Sequence, residues 1–187
     1  NKFSPLHDWV FIEIIRRLDD CQLIFMNDEK GASEILERRL RTRAEDAEII
    51  FDRHVIFVPN QSRQGFSALM KSADLLLDTI GFSGFNTAMQ AIGCGLPVIT
   101  REGKFMRTRH ASAILRKLEI EELITKTETE YIDLVEKIVL DREFLHNIKC
   151  KMKDKENYLY KDENAIRALE DFFVGVTSGS FKSELQN

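Results

Sequence analysis

One stretch of the chain, residues 74–100, constrains the fold more than any other part of the sequence. The short apolar run of residues 75–77 lies between acidic residues, which is typical of a parallel strand buried on both faces. Gly81 and Gly84 interrupt this run, and from Phe85 onward apolar residues recur at helical spacing until two glycines can end the helix. A second apolar strand follows. The stretch therefore predicts a strand, a glycine-rich turn, a helix and a strand, as in an α/β fold with a parallel sheet.

The glycine-rich turn ahead of the predicted helix is a candidate site for a phosphate group. Unpaired backbone N–H groups point beyond the end of the strand there, with the positive end of the helix dipole behind them. The side chains of Ser83, Asn86 and Thr87 can add hydrogen bonds without adding a negative charge. The same kind of junction also occurs in doubly wound proteins only to let elements pack. A short glycine motif is a weak signal by itself, so both interpretations stay open at this point.

Length, composition and charge narrow the class of protein. The chain has 187 residues, 43% of them hydrophobic and 31% charged, which suits one or at most two globular domains with a sizeable core. No run approaches the roughly 20 apolar residues that a membrane helix needs. The net charge of −4 with interspersed signs gives no reason to expect nucleic-acid binding. Cys21, Cys94 and Cys150 form no CxxC pair, and their wide spacing indicates reduced thiols in a cytoplasmic protein.

The first third of the chain predicts further strands and helices in alternation. Strands are expected over residues 22–27 and 54–59, with one long, highly charged helix over residues 33–53 between them. The predicted helix of residues 7–18 has a broad apolar face that needs a sheet to cover it. We therefore expect a first strand upstream of Asn1.

The last third of the chain predicts helices and then a tail. Helical patterns cover residues 127–139, 141–155 and 164–173. A single domain is therefore expected over residues 1–177. Residues 178–187 are expected to form a disordered tail.

Several motifs, in order along the chain, resemble the nucleotide-binding half of the O-linked N-acetylglucosamine transferases and their bacterial relatives. They are K-x-x-P near the start, LDT-x-x-x-SG-x-NT at the glycine-rich turn, then GLPVIT, then EGKFMRTRHASAIL. The resemblance covers residues 2–131. It implies a three-layer Rossmann-like α/β domain with a mostly parallel sheet, the carboxyl-terminal half of a glycosyltransferase of the GT-B architecture. It also implies that the terminal helices pack on the partner domain, and the aromatic residues exposed without that domain would be Tyr160, Phe172 and Phe173.

The resemblance also implies a reaction. A sugar would pass from a uridine diphosphate (UDP) sugar, UDP-GlcNAc or a UDP-hexose, to a protein side chain, with no metal and no other cofactor. The protein acceptor would bind chiefly through the amino-terminal half of the enzyme. The absence of acids and histidines clustered at metal-ligand spacing agrees with a reaction that uses no metal.

Lys2 is the catalytic residue that the resemblance implies. In the family, the lysine of K-x-x-P contacts the diphosphate of the donor, and Lys2 precedes Pro5 at that spacing. An ammonium group there neutralises the charge that builds on the departing diphosphate. The alternative is a solvated lysine with no role in the reaction.

The resemblance also assigns residues that hold the nucleotide. The polar loop of residues 60–66, ahead of a helix expected from Ser67, corresponds to a loop that holds the nucleobase. Gln61 would offer its backbone to the base, Arg63 would contact ribose or phosphate, and the ring of Phe66 would pack on the nucleoside. Phe66 can equally be a helix residue that packs on the core.

Residues of the glycine-rich turn are assigned to donor binding as well: Ser83, Gly84, Phe85, Asn86 and Thr87. Gln90, one helical turn further on, stands where relatives carry an acid that binds the ribose hydroxyls. Glutamine keeps an acceptor there but lacks the charge that makes such a hydrogen bond about twice as strong. Phe85 likewise replaces a glycine or a histidine. These departures leave the sugar preference and the donor affinity open.

Other assignments stay open in the sequence. Arg109 matches an arginine of the family pattern that either orders the loop over the donor or pairs with a nearby carboxylate. Two other functions also remain. A nucleotide-sugar epimerase would share the domain architecture but would need its own acid and base residues in the cleft. A non-catalytic domain that binds a nucleotide or a partner protein would need no such residues.

Overall fold

The computed structural model describes residues 2–28 and 31–178 of the chain. Helices and short strands alternate over these residues. The strands are β1 (Leu23–Met26), β2 (Val55–Val58), β3 (Leu76–Leu77), β4 (Val98–Arg101) and β5 (Ile124–Thr125). The α-helices are α1 (Asp8–Leu18), α2 (Ala32–Asp46), α3 (Phe51–His54), α4 (Arg63–Ser72), α5 (Phe85–Gly93), α6 (His110–Lys117), α7 (Glu128–Leu140), α8 (Arg142–Tyr160) and α9 (Asn164–Thr177). Short 3-10 helices cover Pro5–His7, Met106–Thr108 and Glu121–Leu123.

The strands run parallel in two hydrogen-bonded groups. β1 pairs with β2, with Leu23 opposite Val55 and Met26 opposite Val58. β4 pairs with β3 on one side and with β5 on the other, which gives the order β3-β4-β5. Helices connect the paired strands, as parallel pairing requires. The predicted α/β fold with parallel pairing is confirmed. Within the described residues, β1, β2, β3 and β5 each keep one unpaired edge. The strand expected upstream of Asn1 stays a prediction.

Helix α1 contributes to two hydrophobic cores. Val10 and Ile14 belong to the larger core, which is built by β4 and by helices α5 to α8. Ile12 and Ile15 belong to a smaller core, which is built with β1, β2, α2 and α3. Apolar residues on two sides of one helix let it bridge the two groups of strands. The broad apolar face that was predicted for this helix is confirmed.

The single long helix predicted over residues 33–53 is wrong. Helix α2 ends before Glu48, which adopts a positive φ of 57°, and the short helix α3 then begins at Phe51. The amide of Ile49 closes the end of α2 by donating to the carbonyl of Ala44 at 2.8 Å. Phe51 is buried in the smaller core. A left-handed residue and a local capping bond therefore end a helix that the charge pattern alone would continue, and Phe51 begins the next helix inside the core.

Helix α4 begins one turn earlier than predicted, at Arg63 instead of Ser67. Ser62 is the N-cap residue, and its Oγ accepts a hydrogen bond from the amide of Gly65 at 3.1 Å. Arg63 and Phe66 therefore lie in the first helical turn and not in a loop. The polar loop that was expected before the helix is correspondingly shorter.

The two terminal helices run further than predicted, α8 to Tyr160 and α9 to Thr177. The predicted exposure of Tyr160, Phe172 and Phe173 is confirmed, and α9 buries none of its residues. Ser178 caps α9, while the rest of the tail predicted to be disordered, residues 179–187, lies outside the described residues. Along the described ranges, every helix is too short or too polar to cross a membrane.

Candidate anion-binding site at the start of helix α5

A buried carboxylate organises the turn between β3 and α5. Asp78 directly follows β3 and has 7% of its surface exposed. Its oxygens accept hydrogen bonds from the amide of Gly84 at 2.8 Å and from the hydroxyls of Ser83 and Thr100, both at 2.7 Å. Burial raises the pKa of the Asp78 carboxyl, while these hydrogen bonds act in the opposite direction. The carboxylate ties the turn to β4 and fixes the residue that precedes α5.

Ser83 connects this turn to the start of helix α6. Its hydroxyl donates to Asp78 and accepts a hydrogen bond from the amide of Ala111 at 2.9 Å, and its own amide donates to the carbonyl of Arg107 at 2.8 Å. Only 2% of Ser83 is exposed. The hydroxyl is therefore buried and already bonded within the protein, and the predicted contact of Ser83 with a ligand stays a prediction. Ser83 holds the turn in place.

Three backbone N–H groups face away from this network at the start of α5. Gly84 is the N-cap residue, and it has no side chain that could accept hydrogen bonds from the first turn. No acceptor within the described ranges meets the amides of Phe85, Asn86 and Thr87. We call these three N–H groups the amide seat. The amide of Gly84 is not part of it, because that group is bound to Asp78. Free amides at the positive end of a helix are a site for an anion.

Exposed side chains surround the amide seat. The ring of Phe85 is 53% exposed, Asn86 is exposed and Thr87 is half-buried. Gln90 is exposed as well, one helical turn beyond Asn86 and Thr87. Residues three and four positions apart lie on one face of a helix, so these three polar side chains share a face of α5. Their predicted contacts with the donor stay predictions.

The structure brings Lys2 to the same turn. Its Nζ lies 5.0 Å from the centroid of the Phe82 ring, and Phe82 precedes Gly84 by two residues. The Lys2 side chain is exposed. A positive charge beside this turn strengthens the attraction for an anion there. The geometry therefore unites Lys2 with the turn, two parts of the site that lie far apart in the sequence.

The residues predicted to hold a nucleobase lie at the start of the neighbouring helix α4, with Gln61 just ahead of it. Gln61 turns its side-chain amide back to donate to the carbonyl of Pro59 at 2.8 Å, and Arg63 is exposed. The ring of Phe66 is half-buried and packs against the larger core. This agrees with the alternative prediction, in which Phe66 is a helix residue that packs on the core. No hydrogen bond, ion pair or ring contact in the described part of the chain connects these three residues to the amide seat. Their roles in binding a nucleotide stay predictions.

Sequence reasoning missed two residues of the site, Asp78 and His110. His110 begins helix α6, its Nδ1 lies 3.3 Å from the carbonyl oxygen of Ser83, and its ring stands edge-on to Phe85 with 6.0 Å between centroids. An acid directly before a glycine-rich turn is a signal that could have identified Asp78. Nothing local marks His110, because only the fold brings it to the turn.

Arg109 pairs with a carboxylate, which was one of its two expected roles. Its Nε lies 3.3 Å from Oε1 of Glu102, a buried residue that also accepts hydrogen bonds from Arg116, Lys126 and Ser112. Hydrogen bonds from Arg116, followed by those of Lys126 and Ser112, hold the pKa of the Glu102 carboxyl well below its usual range. This network fixes the segment between β4 and α6.

A second concave region, a cleft of about 480 Å³, lies near the ends of β1 and β2. Its lining includes four acids, Asp28, Glu34, Glu37 and Asp52. Three of them bind partners within the protein: Asp28 binds Ser33, while Glu37 and Asp52 bind Arg41. An acidic lining repels a diphosphate, so the amide seat is the better anion site. In the described ranges, no group of three His, Cys, Asp or Glu residues is arranged to hold a metal ion. Independence from a metal stays a prediction.

The chain is similar to known glycosyltransferases. The profile of glycosyl transferase family 41 matches residues 3–162. A UDP-N-acetylglucosamine–peptide N-acetylglucosaminyltransferase of Caenorhabditis elegans is 31% identical over 80 residues, which are 43% of this chain and 7% of that protein. A probable enzyme of the same description, SPINDLY of Petunia hybrida, is 22% identical over 100 residues, 54% of this chain and 10% of that protein.

The same similarity extends to a solved structure. A mutant of the Thermobaculum terrenum O-GlcNAc transferase superposes with a TM-score of 0.80 and 25% sequence identity, over 92% of this chain and 33% of that chain. The fold expected from the sequence, the donor-side half of a GT-B enzyme, agrees with this match. This chain spans about a third of the solved protein and a tenth or less of the two curated relatives.

Proposed function

From the premise that this chain belongs to glycosyl transferase family 41, we propose that it is the donor-binding part of an enzyme that transfers a sugar from a UDP-sugar to a protein side chain. The family profile covers most of the chain, and relatives described as peptide N-acetylglucosaminyltransferases support this class of reaction. Since the chain spans a third of the solved relative, the remaining parts of such an enzyme would supply the acceptor site.

One observation carries the proposal, the amide seat at the start of α5. The free N–H groups of Phe85, Asn86 and Thr87 offer three donors to the oxygens of a diphosphate, with the helix dipole aligned behind them. Asp78 holds the preceding amide, so the seat is formed before a ligand arrives. A site that is preorganised in this way loses little free energy to ordering when the ligand binds.

The other residues extend this site towards the rest of the donor. Gln90 lies on the same face of α5 and would accept a hydrogen bond from a ribose hydroxyl. Gln61, Arg63 and Phe66, at the start of α4, would hold the nucleobase and ribose. UDP-GlcNAc and UDP-hexoses are the expected donors, and the exposed ring of Phe85 would lie beside the diphosphate.

Lys2 would act on the leaving group. In the transfer step the bond between the anomeric carbon and the β-phosphate oxygen breaks, its electron pair leaves with UDP, and the side chain of the acceptor protein forms the new bond. The acceptor gives up its proton to a base. Negative charge grows on the β-phosphate as the bond breaks, and the Lys2 ammonium together with the amide seat would stabilise it. We propose that these groups make a metal unnecessary, and that the enzyme works in the cytoplasm.

A titration with UDP tests the proposed site directly. On addition of UDP to the ¹⁵N-labelled chain, we expect the amide resonances of Phe85, Asn86 and Thr87 to shift much more than those of Glu34 and Glu37 on helix α2. Modest affinity is expected, because the chain spans only part of its relatives. Shifts confined to another surface would contradict the assignment.

A turnover assay separates binding from catalysis. The purified chain alone is expected to bind UDP without transferring labelled sugar to a peptide, because the acceptor site lies elsewhere in the proposed enzyme. The complete enzyme is expected to transfer it, with and without EDTA. A complete enzyme that binds UDP but transfers no sugar to any protein would favour the non-catalytic alternative.

A further inference from the structure

The residue after Lys2, Phe3, is held in place by contacts with residues further along the chain. The ring of Phe3 packs edge-on against Phe11 and Phe25, with centroids 5.9 and 5.4 Å apart. Nη2 of Arg39 donates to the carbonyl of Phe3 at 3.3 Å. These contacts fix the residue that follows Lys2, so the lysine side chain extends from an anchored point.

The other end of the Lys2 side chain meets Phe82. The ammonium nitrogen lies 5.0 Å from the ring centroid, within the distance of roughly 6 Å at which an aromatic ring attracts a cation. The backbone of Phe82 is held by its own neighbours, since its amide donates to the carbonyl of Thr79 at 3.3 Å and the next residue, Ser83, is fixed by Asp78. The ring therefore stands on a rigid turn.

Core packing does not explain the Phe82 side chain. The ring is 42% exposed. Phe82 belongs to neither of the two cores, although both include half-buried residues around their centres. Within the described residues, the ring contact that the structure shows for Phe82 is the one with the Lys2 ammonium.

We propose that Phe82 is a positioning residue for Lys2, a ring that holds the lysine ammonium beside the amide seat. The inference rests on the proposed function, in which Lys2 acts on the leaving diphosphate. A lysine side chain rotates about four bonds and samples many positions in water. The ring restricts it to positions near Phe82, two residues from Gly84, while the ammonium keeps its charge and its hydrogens. When charge builds on the diphosphate, the ammonium needs only a short movement to meet it.

The contact itself is tested without any ligand. In the wild-type chain, the ring current of Phe82 is expected to shift the Lys2 Hε and Hδ protons upfield. Phe82→Leu, which keeps an apolar side chain but removes the ring, should abolish this shift, and Phe82→Trp should retain it. Phe82→Leu is expected to fold, because the residue lies outside both cores. Lys2 proton shifts that do not change in Phe82→Leu would overturn the proposal.

The catalytic consequence is tested by a double-mutant cycle in the complete enzyme. Phe82→Leu should lower kcat about two- to five-fold, the size of an exposed cation–π contact, with little change in KM. Phe82→Trp should restore kcat. In the Lys2→Ala background, Phe82→Leu should have no further effect on kcat. An equal effect of Phe82→Leu in both backgrounds, or none in either, would overturn the proposal, whereas a chain that shows the ring-current shift but never binds UDP would contradict the proposed function instead.

Discussion

The backbone N–H of Gly84 lies 2.8 Å from Oδ1 of Asp78, so a buried carboxylate and not a ligand holds the residue that caps helix α5. This contact divides the amides of the helix start into two sets. One amide is directed inward to Asp78, and the three that follow it, those of Phe85, Asn86 and Thr87, stay free. A negative charge in the protein thereby orders an anion site while its own oxygens are occupied by Gly84, Ser83 and Thr100.

Asp78→Ala is expected to lower both stability and UDP affinity. The change leaves a buried amide and two buried hydroxyls without their acceptor, and each such loss costs about 1–3 kcal/mol. We expect the free energy of unfolding to fall by roughly 2–4 kcal/mol because the hydroxyls can find other acceptors. Urea unfolding measures this loss, and calorimetry with UDP measures the affinity. Asp78→Asn keeps an acceptor and nearly the same shape, so it should lose much less stability.

Asp78 also predicts a specific dependence of stability on pH. Burial raises the pKa of this carboxyl in the folded chain above its value in the unfolded chain. In the pH interval between these two pKa values the folded chain binds more protons, so the contribution of Asp78 to stability falls as the pH rises through that interval. Asp78→Asn removes the titrating group. The stability of the wild type relative to Asp78→Asn should therefore decrease as the pH rises above the ordinary pKa of an aspartate. If the free energies of unfolding of the two proteins change in parallel with pH, the pKa of the Asp78 carboxyl is not perturbed.

Phe85→Pro tests the amide seat at a single N–H group. Proline lacks a backbone N–H but is favoured at the first position of a helix. Gly84, the residue before it, has φ −86° and ψ 117°, the extended conformation that a residue before proline prefers. We expect α5 to persist and UDP affinity to fall about ten-fold or more, as for the loss of one hydrogen bond to a charged group.

Phe85→Ala is the matched control for this variant, since it removes the same ring and keeps the N–H group. The two variants should have similar stability and different affinities for UDP, measured by calorimetry. Equal affinities would mean that the amide of residue 85 does not contact the diphosphate.

The start of α5 was predictable because its signals are local. Gly84 and the helical spacing from Phe85 onward are neighbours in sequence, and the structure places the helix start at Phe85 as predicted. The start of α4 was misplaced even though its signal is also local, because Ser62 caps a polar first turn that resembles a loop. Arg63 and Phe66 were therefore expected in a loop and lie in a helix.

The role of Ser83 was not predictable, because its partners are distant in sequence. A serine in a glycine-rich turn resembles a ligand contact, and only the fold brings the amide of Ala111 to its hydroxyl. The same holds for Phe51, which is buried in the smaller core among residues that are distant in sequence. Local sequence patterns predict the helices and strands. The hydrogen bonds between those helices and strands determine which polar side chains remain available to bind a ligand.

Glu102→Gln is expected to destabilise the chain chiefly above the ordinary pKa of glutamate. Hydrogen bonds, chiefly those from Arg116, hold the pKa of the Glu102 carboxyl well below its usual value of 4.5. The ionised form of Glu102 therefore stabilises the fold. This contribution is present above pH 4.5 and is lost as the pH falls towards the folded pKa. The variant should lose about 1–3 kcal/mol at pH 7 and less at pH 3. Glu34→Gln, at an exposed position of α2, is the control, and a loss that does not depend on pH would contradict the assignment.

Gln90→Glu is expected to tighten donor binding. A carboxylate accepts a stronger hydrogen bond from a ribose hydroxyl than an amide does, by about a factor of two in energy, which corresponds to roughly a five-fold gain in affinity. Calorimetry with UDP measures the gain, and kcat of the complete enzyme should change little because Gln90 lies away from the breaking bond. A UDP analogue that lacks both ribose hydroxyls should show no gain. An equal gain with that analogue would mean that residue 90 does not contact the ribose.

Lys2→Ala in the complete enzyme is expected to lower kcat much more than it weakens donor binding. If the ammonium meets the leaving diphosphate, its interaction strengthens as charge accumulates in the transition state, and only such an interaction affects the chemical step. The loss of one stabilising donor of this kind reduces kcat on the order of 10²- to 10³-fold. Lys2→Arg keeps the charge and should retain more activity than Lys2→Ala. Steady-state kinetics and UDP affinity, measured on the same variants, separate the two effects. A Lys2→Ala enzyme with an intact kcat and a raised KM would make Lys2 a binding residue and contradict its role on the leaving group.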